Sequence, residues 1–314
     1  MRLLITGGTG FVGRHLLDQI AAGVGPCGLS DVVVSSRTHA DVGHQVEQVR
    51  WDVCDANLPD VEFDAIIHAA TPASAEFNAR APRLMFDQIV VGARNVIKLC
   101  ESQREPPRVV FTSSGAVYGE MPEHLSAWPE GSRLAANPLD PRNAYASGKR
   151  AAETLFALAG NEGLCRPTIA RLFAFSGRHL PLDRHFALGN FVRDALRGGP
   201  IRVFGGGTVV RSYLSGDDMA EWLVRALERE LDLDVILHIG SNRPISILSL
   251  ANLVAERAAI LLGERPNVEL TGSPHFKTND IYLPSVTKTS ALLGTRPRQS
   301  LTQSIDEMLR HHAA

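Results

Sequence analysis

Short apolar runs alternate with longer stretches of helical periodicity along the first half of the chain. The first run begins at Leu3, and apolar positions at helical spacing follow at Phe11, Leu16 and Ile20. Two prolines at 106 and 107 end a second periodic stretch, which spans 82–104. The other predicted strands cover 31–37, 49–53, 63–70 and 108–112. Strands that alternate with helices in this way predict an α/β fold with a parallel, doubly wound sheet.

A glycine cluster directly follows the first predicted strand. Gly7, Gly10 and Gly13 are spaced G-x-x-G-x-x-G rather than G-x-G-x-x-G. In a strand–turn–helix unit, the first glycine turns the chain, the second lets the backbone approach a pyrophosphate, and the third lets the helix pack against the strand. Glycine-rich turns also occur as plain loops, but the strand before and the helix after favour a dinucleotide site. The predicted cofactor-binding residues here are Gly7, Thr9, Gly10, Phe11, Val12 and Gly13.

The residues that end the second predicted strand bear on the choice of dinucleotide. An acidic residue usually binds the ribose 2′-hydroxyl of NAD at this point. This chain has Ser35, Ser36 and Arg37 instead, and hydroxyl and guanidinium groups suit a 2′-phosphate. We therefore favour NADP(H) as the cofactor, with Ser36 and Arg37 as its contacts. The alternative is that Arg37 faces solvent and that the cofactor is NAD.

Two further segments are placed to contact the dinucleotide. Asp52 and Val53 end the third predicted strand and are expected at the adenine edge. His68 precedes Ala69 and Ala70, whose small side chains leave space for a ligand that crosses the top of the sheet. His68 is either a hydrogen-bonding residue near the pyrophosphate or an ordinary loop histidine.

The candidate chemistry follows the strand at 108–112. That strand ends in a serine-bearing segment at 113–119, and Tyr145 and Lys149 lie further on, on one face of a predicted helix. A free tyrosine, with a pKa near 10, is a poor base at neutral pH. A nearby ammonium and an oxidised nicotinamide ring would favour the phenolate and lower the pKa of Tyr145. Tyr145 would then exchange a proton with a substrate oxygen that a serine hydroxyl also holds.

Together these residues resemble the extended short-chain dehydrogenases/reductases of the NAD-dependent epimerase/dehydratase family, which act on nucleotide sugars. The matching segments are 6–13, 52–53, 68–70, 113–119, Tyr145 with Lys149, 171–173, 211–218 and 239–241, so the resemblance spans nearly the whole chain. It implies a Rossmann fold with a smaller C-terminal substrate-binding domain. It also implies that Ser114 takes the catalytic serine position, that Tyr145 is the acid/base, and that Lys149 binds the nicotinamide ribose.

Two positions restrict the reaction that this resemblance implies. Dehydratases of the family carry acidic or amide-type residues after the catalytic serine or threonine, whereas this chain has Gly115 and Ala116, which cannot transfer protons. The chemistry left is redox at C4 of the sugar, and we favour an NDP-4-keto-sugar reductase with exchangeable NADPH. A 4-epimerase that retains NAD is the alternative. A non-catalytic NADP-sensing regulator is the alternative of another class, although such relatives usually lose Tyr145 or Lys149.

The resemblance also implies substrate contacts in the second half of the chain. Asn190 is expected near the diphosphate and Val203 at the nucleotide base. Arg211 is expected at the diphosphate, because a guanidinium fork suits phosphate oxygens. The alternative for Arg211 is a surface salt bridge with Asp217 or Asp218.

A polar segment at 177–186 is expected to line the sugar pocket. Its titratable residues include His179, Asp183, Arg184 and His185. Their spacing fits no zinc pattern, and the family needs no metal, so no metal site is predicted. The chain departs from the family at 89 and 174, where it has isoleucine and alanine in place of asparagines.

Composition excludes several other classes of protein. The chain has 314 residues, 44% of them hydrophobic, and a net charge of −2, so it can bury a large core and offers no basic stripe to nucleic acid. No apolar run approaches the roughly 20 residues that span a bilayer, and the first strand begins too early to leave room for a signal peptide. The four cysteines stand far apart, as in proteins of a reducing compartment. We therefore expect a cytoplasmic protein that binds neither nucleic acid nor membranes.

The predicted organisation is a Rossmann domain over residues 1–172, to which a segment near 211–243 returns. Residues 173–210 and 244–314 are expected to form the substrate-binding domain, with the sugar held in the cleft between the two. By analogy with the family, helices at 82–104 and 145–160 pair across a twofold axis and form a homodimer.

Overall fold

A computed structural model describes residues 1–184, 186–233, 235–271 and 280–313. The strands are β1 (Arg2–Thr6), β2 (Asp31–Ser36), β3 (Glu47–Arg50), β4 (Ala65–His68), β5 (Arg108–Ser114), β6 (Arg166–Leu172), β7 (Phe175–Ser176), β8 (Ile201–Phe204), β9 (Val210–Arg211), β10 (Leu214–Ser215), β11 (Ile236–Ile239), β12 (Ile245–Ser246), β13 (Val268–Thr271) and β14 (Ile281–Tyr282). The helices are α1 (Phe11–Ala21), α2 (Ala75–Arg80), α3 (Pro82–Glu101), α4 (Ala144–Asn161), α5 (Ala187–Leu196), α6 (Gly216–Glu228), α7 (Ile247–Leu262), α8 (Thr287–Leu293) and α9 (Leu301–Ala313).

The largest sheet of the described residues has seven parallel strands in the spatial order β3-β2-β1-β4-β5-β6-β11. The chain moves outward from β1 through β2 to β3, then crosses back to β4 and moves outward in the other direction. This reversal opens a crevice at the carboxyl ends of β1 and β4, which is where open α/β sheets bind their ligands. The predicted doubly wound α/β fold is confirmed.

Both faces of this sheet are apolar because helices cover each of them. Along β1, Leu3 and Ile5 face the core under α1 and α6, whereas Leu4 faces the core under α3 and α4. A third core lies among α5, α7, α9 and β8. The central strands therefore have continuous apolar runs rather than an alternation of apolar and polar residues.

Smaller sheets attach the second half of the chain to the crevice. β14 pairs with β9, which also pairs with β12, and this places Tyr282 directly beside Arg211. The third predicted strand differs from the structure, since β3 ends at Arg50 and residues 51–53 follow it in the chain. None of the helices in the described ranges combines the length and hydropathy that a membrane span requires.

Candidate active site

The glycine turn joins β1 to α1 at the crevice. Gly7 has a φ of +73° and donates its N–H to the Ser35 carbonyl at 2.9 Å. A Cβ at Gly7 would lie 2.9 Å from the Ala70 Cα, and a Cβ at Gly13 would collide with the backbone of Gly7 and Gly8. Glycine is therefore required at positions 7 and 13 by the fold itself.

Gly10 is not required by the fold in this way. A Cβ there would meet only the Gly7 carbonyl oxygen, at 3.3 Å. Gly10 is the exposed N-cap of α1, and no side chain among the described residues caps that helix. The first N–H groups of α1 are therefore open to phosphate oxygens, which the positive end of the helix dipole also attracts. Phe11 and Val12 offer these backbone groups, while their side chains pack against the core.

The end of β2 presents cationic rather than acidic side chains. Ser35 and Ser36 are buried, and the Ser36 hydroxyl donates to the Thr38 carbonyl at 2.7 Å. Arg37 follows β2 and is exposed, as is Arg50, the register partner of Ser36 on β3. Neither guanidinium forms a hydrogen bond or ion pair within the described ranges. Arg50 was not foreseen, because the pairing of β2 with β3 is a tertiary feature.

The expected adenine contacts differ in their exposure. Asp52 is exposed, and its carboxylate accepts the N–H of Cys54 at 2.9 Å. Val53 is buried, and its carbonyl accepts the Asn95 amide at 2.9 Å. Only Asp52 of this pair therefore offers an exposed side chain to a ligand.

His68 is enclosed in the core rather than placed in a loop. It lies in β4 with 0% of its surface exposed, its Nδ1 is 2.8 Å from the Thr6 hydroxyl, and its ring stacks on Phe111. Burial lowers the pKa of His68 to about 3, so the ring is neutral. Both expectations for the His68 side chain, a pyrophosphate contact or a loop position, are wrong. The Thr6 hydroxyl instead accepts the N–H groups of Ala69 and Ala70 and shapes that segment.

The three predicted catalytic residues come together at the carboxyl end of β5 and the start of α4. Ser114 ends β5, and Tyr145 lies in the first turn of α4, which packs against β5. Lys149 Nζ donates to the Thr112 carbonyl and to Thr71 Oγ1, each at 2.6 Å. It lies 5.9 Å from the centre of the Tyr145 ring. The group therefore contains two hydroxyls and one buried amine at the edge of the sheet that carries the glycine turn.

Burial dominates the ionisation of this group. It lowers the pKa of Lys149 from 10.5 to about 7, although the nearby Glu153 carboxylate opposes the shift. It raises the pKa of Tyr145, while the Ser114 hydroxyl opposes that shift. The lowering of the Tyr145 pKa by the ammonium together with an oxidised nicotinamide ring stays a prediction. In the chain itself burial sets the direction of the shift, since Lys149 points its protons at a threonine hydroxyl and a backbone carbonyl. The Tyr145 phenol therefore keeps its proton at neutral pH.

Tyr282 adds a second phenol beside Ser114. Its ring packs on Phe173 with 4.9 Å between the centres, and its hydroxyl lies 3.5 Å from the Leu172 carbonyl. A Cβ at Gly115 would lie 2.6 Å from the Phe173 ring and 2.7 Å from the Tyr282 hydroxyl. The space that a side chain at position 115 would need is therefore already filled. No sequence signal pointed to Tyr282, because β14 reaches the site only through tertiary packing.

Arg211 lies next to Tyr282 and is held by an ion pair. Its guanidinium donates to the two carboxylate oxygens of Asp280 at 2.8 and 3.2 Å. Asp217 and Asp218, the alternative partners, are engaged by other groups. Arg211 thus stands beside the catalytic group, with a partner that the sequence did not indicate.

The two other expected substrate contacts have different outcomes. Asn190 lies in the first turn of α5, where its side-chain oxygen accepts from Arg193 at 2.9 Å. Val203 is wrong as a base contact, because it is 0% exposed in the core around β8. Phe204, the next residue, is 77% exposed. Alternate residues of a strand face opposite sides, so the alternation along β8 was the available signal for Phe204.

Residues 3–240 match the family described as NAD dependent epimerase/dehydratase. The chain belongs to this family. UDP-glucuronic acid decarboxylase 2 of Arabidopsis thaliana is 32% identical over 316 residues, which cover 99% of this chain and 68% of that protein. Relatives of this kind are enzymes, and so is this protein.

Solved structures of similar fold cover almost the whole epimerase/dehydratase chain. DesIV of Streptomyces venezuelae, a dTDP-glucose 4,6-dehydratase with NAD and TYD bound, gives a TM-score of 0.83 at 24% identity and covers 99% of this chain and 97% of that one. RMD of Pseudomonas aeruginosa, complexed with NADPH, gives a TM-score of 0.81 at 22% identity and covers 99% and 98%. At these identities the likeness establishes the fold.

A buried ion pair in this epimerase/dehydratase joins the helix of the catalytic group, α4, to the sheet. Glu153, one turn after Lys149 on α4, accepts two hydrogen bonds from Arg171 of β6, at 2.8 and 2.7 Å. The same carboxylate accepts the Ser113 hydroxyl at 2.5 Å. Glu153 therefore fixes α4 against β5 and β6. Glu153 was not predicted as a site residue, although its spacing from Lys149 was a usable signal.

The polar segment after β7 binds α1 in this epimerase/dehydratase, and does not lie with the catalytic group. His179 Nε2 is 2.7 Å from the Asp18 carboxylate, and the Arg178 guanidinium donates to the same carboxylate at 2.9 Å. Asp18 thus holds His179 against α1, and the expectation that His179 lines the sugar pocket stays a prediction. Asp183 and Arg184 form an exposed ion pair at 3.9 Å, and His185 lies outside the described residues.

Proposed function

We propose that this enzyme performs NAD(P)-dependent redox chemistry at C4 of a nucleotide-activated sugar, and that it is an NDP-4-keto-sugar reductase. The observation that carries the proposal is the grouping of Ser114, Tyr145 and Lys149 at the same sheet edge as the glycine turn. Gly115 and Ala116 add no proton-transfer group to it. This combination suits oxidation or reduction at one carbon and lacks the extra acid and base that elimination of water requires.

Tyr145 suits the reductive direction. Its phenol keeps a proton at neutral pH, because burial raises the pKa, and would donate that proton from Oη to the C4 oxygen as the keto group becomes a hydroxyl. Ser114 Oγ would hold the same oxygen, and Lys149 would bind the nicotinamide ribose. The nicotinamide dinucleotide, when bound, supplies the hydride that C4 receives.

The end of β2 supports NADP(H) as the dinucleotide. A 2′-phosphate needs cationic partners, and Arg37 and Arg50 both stand near Ser36 without a partner in the described ranges. An acidic residue, which would repel that phosphate, does not end β2. NAD remains the alternative cofactor, and it is the one that a 4-epimerase would retain.

The nucleotide diphosphate is proposed to lie between the start of α5 and Arg211. No side chain within the described residues caps α5, so its first N–H groups can receive phosphate oxygens, with Asn190 in the same turn. Arg211 brings a guanidinium that is only partly exposed and already oriented by Asp280. Phe204, rather than Val203, offers an exposed ring to the base.

The domain organisation is part of the same proposal. Residues 1–172 and the segment near 211–243 would hold the dinucleotide, and residues 173–210 with 244–314 would hold the nucleotide sugar. The pairing of β11 with β6 supports the returning segment. The separate apolar core around α5, α7 and α9 supports the second unit.

The first experiment is to denature the purified enzyme and to identify and quantify any dinucleotide that it releases. A reductase with an exchangeable cosubstrate is expected to release little, and to bind NADPH more tightly than NADH. Nearly one NAD per chain would contradict the reductase and support an activity that retains NAD, such as the 4-epimerase. Binding of NADPH without turnover of any NDP-4-keto sugar would instead support the non-catalytic regulator.

A matched pair of variants tests the cofactor contact itself. Arg37→Ala is expected to weaken NADPH binding about 10- to 100-fold and to leave NADH binding unchanged, because a hydrogen bond to a charged phosphate is lost. Arg166→Ala serves as the control. It removes an exposed arginine at the first residue of β6, at the edge of the sheet opposite the crevice. Equal losses for NADPH and NADH in Arg37→Ala would overturn the assignment of the 2′-phosphate.

A decarboxylase of UDP-glucuronic acid is the second candidate, favoured by the Arabidopsis relative. Oxidation at C4 through Tyr145 would place a keto group β to the C5 carboxylate, and such an acid loses CO2 without a further acid or base. Release of CO2 and a UDP-pentose from UDP-glucuronic acid, with bound NAD returned to its starting state, would select this activity over the reductase.

A further inference from the structure

The start of α4 is capped by a residue of another helix. Tyr145 is the second residue of α4, so its N–H has no acceptor within that helix. Asn143 stands at the N-cap, but its side chain makes no bond to the helix and donates to the Asn137 carbonyl at 3.1 Å. The side-chain oxygen of Asn78, on α2, accepts the Tyr145 N–H at 2.9 Å instead. The backbone that carries the catalytic phenol is therefore held from α2.

Asn78 makes a second bond to the same turn. Its amide nitrogen donates to the carbonyl of Arg142, three residues before Tyr145, at 2.8 Å. A backbone N–H can only donate and a carbonyl can only accept, so these two partners fix the orientation of the Asn78 amide. A carboxylate at this position would lack the donor, and an alanine would lack both groups. An amide thus satisfies both backbone groups at once.

Asn78 is itself held in place on α2. Ser74 is the N-cap of that helix, and its hydroxyl accepts the N–H of Phe77 at 3.1 Å. The Ser74 carbonyl accepts the N–H of Asn78 at 2.9 Å. The Phe77 side chain packs against the core under α3 and α4. Because α2 is anchored in this way, it presents Asn78 to α4 from a fixed position.

The same segment binds the catalytic lysine. Thr71 precedes α2, and its Oγ1 accepts from Lys149 Nζ at 2.6 Å. Residues 71–78 therefore contact the Lys149 side chain at one end and the Tyr145 backbone at the other. Lys149 lies one turn further into α4, with its Nζ 5.9 Å from the centre of the Tyr145 ring. Loosening of the first turn of α4 would thus move Tyr145 relative to Lys149.

We propose that Asn78 is a positioning residue that holds the first turn of α4 and thereby sets the place of the Tyr145 hydroxyl relative to Lys149. Without Asn78 the first turn frays, because its N–H groups lose the side chain that caps them. The phenol is then less often within reach of the C4 oxygen. A displacement of about 1 Å can lower a rate about 100-fold. This inference rests on the proposed function for its role in turnover, whereas the cap does not depend on the substrate.

Hydrogen–deuterium exchange, read on overlapping peptides that resolve the Tyr145 amide, tests the cap. Asn78→Ala is expected to speed exchange of that amide about 3- to 10-fold, as the loss of one hydrogen bond implies, while the later turns of α4 stay protected. Asn78→Asp restores the acceptor and should return the exchange to the native rate. Asn252→Ala is the control, since it removes an exposed asparagine whose amide donates to a carbonyl of α7 at 3.0 Å. Unchanged exchange in Asn78→Ala would overturn the proposal.

Steady-state kinetics test the positioning. With an NDP-4-keto sugar and NADPH, Asn78→Ala should lower kcat about 10- to 100-fold and leave KM unchanged, because the substrate still binds while the proton donor is misplaced. Asn78→Asp should recover most of that loss, and Asn252→Ala should lose nothing. A native kcat in Asn78→Ala, or a loss confined to KM, would contradict the role of Asn78.

A titration of tyrosinate absorbance separates this inference from the proposed function. The chain has four tyrosines, and subtracting the titration of the matching Tyr145→Phe protein isolates Tyr145. Burial raises the pKa of Tyr145, so a frayed first turn in Asn78→Ala should lower its midpoint toward the ordinary value of about 10. If this midpoint falls but the native protein reduces no sugar, the reductase is rejected and Asn78 keeps its role. An unchanged midpoint would show that Asn78 does not position the phenol.

Discussion

Lys149 allows the electrostatics of the candidate site to be tested by stability alone. The amine is buried and its pKa is lowered from 10.5 to about 7. Between these two pH values the unfolded chain binds a proton at this position that the folded protein does not. Stability therefore rises with pH through this window, and the full cost of burying the lysine is present below pH 7. Lys149→Met removes this dependence.

The size of the effect follows from the two pKa values. The cost of burying Lys149 is about 4 kcal/mol at pH 7 and about 2 kcal/mol at pH 9. Methionine leaves the Thr71 hydroxyl and the Thr112 carbonyl without their donor, at about 1–3 kcal/mol, but that loss is the same at both pH values. Relative to the variant, the native protein should thus gain about 2 kcal/mol in its free energy of unfolding between pH 7 and pH 9.

Urea unfolding at pH 7 and pH 9 measures this difference directly. Lys98→Met, which removes an exposed lysine of α3, controls for the loss of one positive charge. All other titrating groups cancel in the comparison, since they are shared by the proteins. If the free energy of unfolding changes equally between pH 7 and pH 9 in the native protein, Lys149→Met and Lys98→Met, then Lys149 keeps its ordinary pKa. That result would refute the reasoning from burial.

Three further outcomes are expected. Tyr145→Phe should lower turnover of the nucleotide sugar about 10²- to 10⁴-fold with a normal unfolding curve, and full activity would remove Tyr145 from the mechanism. Gly115→Ala should lower the free energy of unfolding in urea by about 1–3 kcal/mol, because its Cβ would overlap the neighbouring aromatic side chains. Gly199→Ala is the control and should cost much less, since its Cβ meets no atom within 4 Å, so similar losses in the two variants would contradict this packing. Leu84→Glu, at a residue of α3 that is 48% exposed, should halve the mass in sedimentation if α3 and α4 form the homodimer, and a native mass of 34.0 kDa would exclude that dimer.

The sequence by itself determined those features that depend on near neighbours in the chain. The alternation of strands and helices predicted the sheet, because each helix must cover the apolar run beside it. The glycines at 7 and 13 predicted the turn, since the positive φ of Gly7 and the overlap of a Cβ at Gly13 with the backbone of Gly7 and Gly8 both arise within the turn itself. Tyr145 and Lys149 were recognised as a pair because helix geometry alone places them on one face.

Tertiary structure decided the features that depend on contacts between distant segments. Tyr282 reaches Ser114 and Asp280 reaches Arg211 only because β14 pairs with β9, which no local pattern indicates. His68 became a core residue rather than a ligand contact because β5 and α4 close over it.

Long-range packing also decided the pKa values of the site and which side of a strand faces a ligand. Burial sets the pKa of Lys149, and burial is known only when every layer of the fold is in place. A shift of one residue along β8 exchanges the buried Val203 for the exposed Phe204, so that choice depended on which face of the strand the third core covers. Local sequence thus determined which chemical groups the chain contains and where its elements begin, and long-range packing decided which of those groups meet.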